Sequence, residues 1–279
     1  KLNPPLAPVE TETFLHEQAD QTTAGELSSP EAKVNRASDR MKGQQSIGQP
    51  HRRIGRFELL QRLGRGGCGE VWQAKDLHLG RQVAIKLPLF PASEQKKIAR
   101  FLTEGRAAAQ LRHPNIVGVY DSGEYQGQHY LAIELVSGKP LSECAADRTL
   151  SHAEAARMIA CLAGALHYAH TSGVVHRDIK PQNIVVNETG EPQILDFGLA
   201  KIIGDDAGLT IDGTVLGTPA FMAPEQARGD KASVGPHSDQ YNLGATLFWL
   251  LTGRPLYEGP HAMVLAQVVR AIPPSHNKL

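Results

Sequence analysis

From Phe57 to Glu134, apolar side chains recur at alternate positions in short runs, the period of strands with one buried face. Phe57 to Leu63, Glu70 to Lys75 and Gln82 to Leu87 form three runs, broken by Gly64 to Gly69 and by His78-Leu79-Gly80. A polar helical segment is predicted from about Ser93 to Leu111, with Ser93 as N-cap and Pro114 ending it. Ile116 to Tyr120 and His129 to Glu134 read as two further strands, separated by a turn at Gln126-Gly127. After Ser137-Gly138 the period becomes helical. Ser151-His152-Ala153-Glu154 is a capping box, because hydroxyl and carboxylate each satisfy a free end-of-helix amide. Met158, Ile159, Leu162 and Leu166 then share one helical face. Leu243 to Leu251, the longest apolar stretch, is too short to span a bilayer and reads as a buried helix.

This order predicts an α+β, bilobal fold: a small β-rich lobe over 56–136 and a larger, mostly helical lobe over 137–279. A hinge falls near Glu134 to Gly138, and the cleft between lobes is a natural nucleotide site. Residues 1–55 read as a flexible lead-in. Up to about Gln49 they are rich in Pro, Ser, Thr, Gln and charge, and bury too little apolar surface to offset their ordering entropy. The basic cluster His51-Arg52-Arg53 reads as the solvated end of that linker.

Composition narrows the class. Lys plus Arg (29) balance Asp plus Glu (29), so no overall field draws the chain to nucleic acid or an anionic membrane. The three cysteines, Cys68, Cys144 and Cys161, fit neither a disulfide framework nor a zinc spacing, and point to a reducing compartment. Cys68 reads as an ordinary exposed cysteine. The chain begins at Lys1, so its true start is expected upstream, and no charged-then-apolar leader opens it.

Candidate chemistry concentrates in three places. Gly64-x-Gly66-x-x-Gly69 is a glycine spacing that dinucleotide-binding folds also use, between a strand and a helix. Here a strand follows, so the glycines tip a hairpin able to cover phosphates. Lys86, in Val83-Ala84-Ile85-Lys86, shares a strand face with Ala84; a lysine in an apolar strand is costly unless paired. His176-Arg177-Asp178-Ile179-Lys180-Pro181-Gln182-Asn183, followed by Asp196-Phe197-Gly198, sets two carboxylates, an amide and cations on adjacent loops. Moving a phosphoryl group from ATP-Mg²⁺ to a hydroxyl needs that mixture.

Together these motifs resemble the bacterial-type, eukaryotic-like serine/threonine protein kinase family, over about Arg56 to Arg270. The resemblance implies ATP as phosphoryl donor, Mg²⁺ (or Mn²⁺) as its metal, and protein substrates bearing Ser or Thr. It makes Asp178 the proton acceptor, Lys180 the neutraliser of transferred charge, and Asn183 and Asp196 the metal ligands. Lys86 would hold the phosphates, steadied by Glu104, which its place relative to Leu111-to-Ile116 favours over Glu94. Leu63, Gly64, Gly66 and Gly69 would cover the nucleotide. Val71, Ala84 and Val185 would enclose adenine, Ile133 would guard the rear, and Glu134 and Val136 would offer backbone hydrogen bonds.

The resemblance also implies an activation loop carrying Thr210 and Thr214, with Arg177 pairing to a phosphothreonine there, and self-association for autophosphorylation. Thr218 matches the serine/threonine class, and Asp239 matches a buried brace for the catalytic loop. It implies a cytoplasmic kinase domain, with any membrane anchor beyond Leu279. One departure stands out: the family pairs the glutamate of Ala223-Pro224-Glu225 with a later arginine. After Arg254 only Arg270 remains, so Glu225 is expected to lack its partner and the helical lobe to be incomplete.

Overall fold

The computed structural model describes residues 52–66, 69–91, 93–147, 150–197 and 219–271. The alternating half folds into a six-stranded antiparallel sheet in the order β1-β2-β3-β4-β6-β5. Its strands are β1 (Arg53–Ile54), β2 (Phe57–Gly66), β3 (Gly69–Asp76), β4 (Arg81–Leu87), β5 (Val119–Tyr125) and β6 (Gln128–Ile133). One face buries Phe57, Leu59, Ala74, Val83 and Ile85 in a cluster of their own. Helix α1 (Gln95–Ala108) seats Phe101 against Leu131 of β6. Gly105 matters there, because a Cβ at that position would stand 2.4 Å from the Leu131 side chain.

Two expectations shift. Helix α1 starts at Gln95, with Glu94 rather than Ser93 as N-cap and no side-chain cap bond; Lys97 and Glu94 form an ion pair at 2.7 Å instead. Strand β5 starts at Val119, not Ile116, because the chain before it pairs with the other half of the molecule. Ile116 bridges Ile194 in parallel, Val117 N–H donates to Ile194 O at 3.0 Å, and Ile194 N–H donates to Asn115 O at 2.9 Å. The buried Asn115 amide adds a bond to Pro192 O at 2.7 Å. These bonds fasten the sheet to the segment that leads into Asp196.

The second half comprises β7 (Gly138–Pro140), α2 (Leu141–Asp147), α3 (His152–Thr171), β8 (Ile184–Asn187), β9 (Pro192–Ile194), α4 (Pro224–Ala227), α5 (Pro236–Thr252) and α6 (His261–Arg270). The capping box at Ser151 is present: the Ser151 hydroxyl accepts from Glu154 N–H at 3.2 Å, and Glu154 accepts from Ser151 N–H at 2.9 Å. Met158, Leu162 and Leu166 of α3 are buried, with Ile159 at the edge of the same core. That core also takes in Ile179, Ile184, Ile194 and Phe197, so the chemically loaded loops are rooted in it. Helix α5 contributes Leu243 and Leu250, while Leu251 at its end is exposed. Among the described residues, no helix is long and apolar enough to cross a membrane.

Asp76, fully buried at the end of β3, anchors the turn into β4. Its carboxylate accepts from His78 and Leu79 N–H and from Arg56 Nε at 3.2 Å, while Arg56 also reaches Asp121 at 3.0 Å. Burial pushes its carboxyl up, but these donors outweigh burial and hold it below the usual carboxylate range. A depressed native value stabilises the fold above the unfolded carboxyl's value, about 3.9, and that contribution is lost as pH falls through the native value. Asp76→Asn is therefore expected to melt lower than wild type at pH 7, with the gap closing below about pH 4. Equal melting temperatures at pH 7 would count against this account.

Candidate active site

Strand β4 differs from the alternation expected of a half-buried strand: Val83 through Leu87 are all buried, because both its faces are covered. Register places Lys86 opposite Val71 and Leu131, and Ala84 opposite Gln73 and Ile133, so Ala84 and Lys86 share the face turned to the cleft. Lys86, only 4% exposed, closes an ion pair with Asp196 Oδ2 at 2.8 Å. That pair spans the two halves of the molecule. Glu104 lies half-buried on α1, and Asp196 supplies a carboxylate against Lys86. Leu131 and Ile133 line a cavity behind this pair with Gly105, Val119, Asp196 and Phe197.

The Asp178 loop is braced from within. Lys180 Nζ reaches Asp178 Oδ2 at 2.7 Å, and Asn183 Nδ2 donates to the same oxygen and to Asp178 O, both at 2.8 Å. With its amide nitrogen spent on the loop, Asn183 keeps its side-chain carbonyl oxygen without a partner among the described residues. Fully buried His176 links this loop to the next. Its Nε2 meets Leu195 O at 2.7 Å, its Nδ1 accepts from Asp178 N–H at 3.1 Å, and its ring packs edge-on to Phe197 at 4.8 Å. Leu195 N–H also donates to Asn183 O at 2.9 Å, so the residue before Asp196 is held from both sides.

Asp239, on α5, is fully buried. Its Oδ2 accepts from His176 N–H at 2.8 Å and its Oδ1 from Arg177 N–H at 2.6 Å, the brace that the resemblance implied. Arg177 (φ +70°) and Asp196 (φ +60°) both sit in the left-handed region, which costs a non-glycine residue about 1–3 kcal/mol and persists where surroundings enforce it. Gln226 of α4 donates to Arg177 O at 2.7 Å and accepts from Ala223 N–H at 2.9 Å, tying the Ala-Pro-Glu segment to the same loop. His176 stands in the run around Asp178, but neither it nor Gln226 was marked there as a brace; their donors and acceptors meet only through the fold.

The glycine hairpin is stitched on its outer side. Glu70 accepts from Trp72 Nε1 at 3.1 Å and Arg62 Nη1 at 3.3 Å, with Arg65 at 3.9 Å. The Trp72 indole first, then the guanidiniums, hold its carboxyl below the usual range against the upward push of burial. Gly69 is required there: at φ +146°, a Cβ would stand 2.1 Å from Leu87 O. Gly64 and Gly66 are exposed, and Leu63 is half exposed. Val71 and Val136 are half-buried, while Ala84 and Val185 are buried. Glu134 N–H donates to Gly118 O at 2.8 Å. Cys68, Gly198, Thr210, Thr214 and Thr218 lie outside the described residues.

Glu225, expected to lack the family's arginine, has other neighbours: its carboxylate accepts from the Ser238 hydroxyl at 2.5 Å and stands 3.3 Å from His237 Nε2, both in the first turn of α5.

The residues suit a hard divalent cation. Asp196 keeps one carboxylate oxygen beyond its bond to Lys86, and Asn183 keeps its amide oxygen; both are hard ligands of the kind Mg²⁺ takes while retaining waters and phosphate oxygens. Among the described residues no cluster of three or more His, Cys, Asp or Glu offers an all-protein metal cage.

A Lys–Asp pair across a cleft, over an aspartate loop braced from α5, is the arrangement of a kinase fold. The protein kinase domain family model matches residues 57–275, and the chain belongs to that family. It is 40% identical over 214 residues to the probable serine/threonine-protein kinase PknB of Lactococcus lactis, covering 76% of this chain and 34% of that protein. It is 43% identical over 220 residues to the serine/threonine-protein kinase PknA of Mycobacterium tuberculosis, covering 76% of this chain and 50% of the relative. The chain thus spans between a third and a half of these relatives' length. Among solved structures, the M. tuberculosis PknI kinase domain matches with a TM-score of 0.61 at 30% identity, over 75% of this chain and 77% of that one. This is a bacterial-type, eukaryotic-like member of the family with its α+β bilobal fold.

Proposed function

We propose that this chain is the catalytic domain of a serine/threonine protein kinase that transfers the γ-phosphoryl group of ATP to Ser and Thr hydroxyls of proteins. The single observation that carries the reading is the 2.8 Å Lys86–Asp196 pair, which brings a cation and a metal-ligand carboxylate together across the cleft.

In this reading Val71, Ala84 and Val185 enclose adenine, Glu134 and Val136 meet its polar edge, and Leu63, Gly64, Gly66 and Gly69 close over the phosphates. Lys86, steadied by Glu104, orients the α- and β-phosphates. Asn183 and Asp196 would hold Mg²⁺, or Mn²⁺, which when bound neutralises charge on the phosphates. Asp178 orients the acceptor hydroxyl and takes its proton as the new O–P bond forms and the bond to ADP breaks. Lys180, already 2.7 Å from Asp178, stands ready to offset charge on the moving group. A typical kinase turnover of about 1–100 s⁻¹ leaves a barrier of roughly 15–17 kcal/mol.

Autophosphorylation belongs to the same reading. Arg177 Nε is buried and has no hydrogen-bond partner among the described residues, which suits a cation reserved for a phosphothreonine. Incubation with labelled ATP-Mg²⁺ and mapping of the phosphorylated residues tests both parts. Incorporation on Ser or Thr is expected, with Thr210 or Thr214 among the sites. No incorporation into the protein or any added acceptor would leave a nucleotide-binding scaffold. Unchanged incorporation and activity after replacing both threonines by alanine would end the self-activation part.

A further inference from the structure

The hairpin that carries the glycines has little hold on the core. From Leu60 to Gly66 every residue of β2 is exposed, and a two-stranded ribbon is marginal by itself. Its partner β3 is anchored instead: Glu70 lies opposite Leu87 of β4, and Val71 opposite Lys86. Alternation turns Glu70 and Trp72 to the face opposite Val71, away from the cleft, where Trp72 packs against the cluster that holds Phe57, Leu59 and Ile85. One carboxylate there collects the cations of the loose strand. Glu70, 9% exposed, sits directly across the ladder from Arg65, and Trp72 across from Arg62. Glu70 Oε1 accepts from Arg62 Nη1 at 3.3 Å and stands 3.9 Å from Arg65 Nη1, while its Oε2 accepts from Trp72 Nε1 at 3.1 Å.

We propose that Glu70 is a positioning residue for the nucleotide: it draws the Arg62 and Arg65 guanidiniums to the outer face of the hairpin and so holds the glycine tip over the phosphates. This role rests on the kinase reading given above, in which Gly64, Gly66 and Gly69 close over ATP. A lone pair to an exposed arginine contributes little. Three donors on one carboxylate form a network, and one of them is the indole of a residue packed on the core. Backbone pairing alone holds the tip by short stretches only, because the β2–β3 ladder shifts register between Leu59 and Gln61 and again between Arg62 and Gly64. Without the carboxylate, the tip opens more often and leaves the phosphates less covered, which weakens nucleotide binding rather than the chemical step.

Two observations separate this role from a part in folding. The sheet already closes its own core with Phe57, Leu59, Ala74, Val83 and Ile85, so the carboxylate is not needed to assemble it. Asp178, Asn183 and Asp196 are set by bonds within their own loops, through His176 and Leu195, which the hairpin does not supply. The effect should thus fall on ATP affinity and spare turnover.

Calorimetric titration of the whole chain with ATP-Mg²⁺, steady-state kinetics with a Ser/Thr peptide and amide exchange test the proposal. Glu70→Leu keeps the bulk of the side chain and removes both acceptors. It is expected to weaken ATP binding about five-fold and to raise KM for ATP by a similar factor, with kcat at saturating ATP within about two-fold of wild type. Its melting temperature should stay within about 2 °C of wild type, because leucine suits the apolar cluster beside Trp72. Glu70→Gln, whose amide oxygen still accepts from Trp72, should recover affinity to within about two-fold. Exchange at the β2 amides from Arg62 to Gly66 should quicken in the leucine variant and return in the glutamine variant. If Glu70→Leu does not fold, Arg62→Met combined with Trp72→Phe, which takes away both hydrogen-bond donors, is expected to show the same loss. Wild-type ATP affinity in either of these variants, a fall in kcat matching the rise in KM, or glutamine as weak as leucine overturns the proposal. A wild-type chain that binds no ATP sinks the kinase reading instead, and the amide exchange then still decides whether Glu70 holds the hairpin.

Discussion

Asp178→Asn is expected to lower the turnover of peptide phosphorylation by about 10²–10⁴-fold, or ~3–5.5 kcal/mol of transition-state stabilisation. The substitution keeps the shape of the side chain and removes its basicity. It also takes the charge from the 2.7 Å contact with Lys180, and it sets an amide where the Asn183 amide now donates at 2.8 Å. Nucleotide affinity should change little, because Lys86 and the β-sheet side of the cleft do not touch Asp178. The measurement is kcat and KM for ATP with a Ser/Thr peptide, alongside nucleotide affinity by calorimetry. A kcat within ten-fold of wild type would remove Asp178 from the chemistry.

Asp196→Asn should be at least as damaging and in a different way. The amide keeps an oxygen but loses the negative charge that draws a divalent cation, so metal-dependent nucleotide affinity is expected to fall together with turnover, which should drop by about 10³-fold or more. The variant also leaves Lys86, 4% exposed, without its counter-charge. Breaking a fully buried pair costs about 3–5 kcal/mol; the Asp196 side chain retains 30% exposure, so roughly 1–2 kcal/mol and a melting temperature a few degrees lower are expected. The contrast is diagnostic: the Asp178 variant keeps its affinity for ATP-Mg²⁺, whereas the Asp196 variant loses it. Near-wild-type turnover, or an undiminished response of ATP affinity to Mg²⁺, would contradict the assignment of Asp196.

Much of this was legible along the chain. Period-two runs broken by glycines located the strands, and a hydroxyl three residues before a carboxylate located the start of α3, because short-range bonding decides those features whatever surrounds them. The order of His176, Asp178, Asn183 and Asp196 was legible for a related reason: loops that carry chemistry need particular donors and acceptors, and few other side chains supply them. The start of β5 was not legible. Ile116 and Val117 have strand-like side chains, but their backbone partners lie in the run to Ile194, nearly eighty residues later. The cap of α1 was missed for a simpler reason, since a serine near a helix start does not say which residue leaves the helical region first.

Local order thus resides in the amino-acid string itself: the glycine hairpin, the capping box and the grouping of reactive side chains on two loops all follow from near-neighbour sterics and hydrogen bonding. Pairing across distance does not. That Lys86 meets Asp196, that Glu225 finds Ser238 and His237, and that His176 and Arg177 converge on one carboxylate was decided when the helical core closed. A buried charge takes whichever partner packing brings within reach, and only the assembled fold determines which one that is.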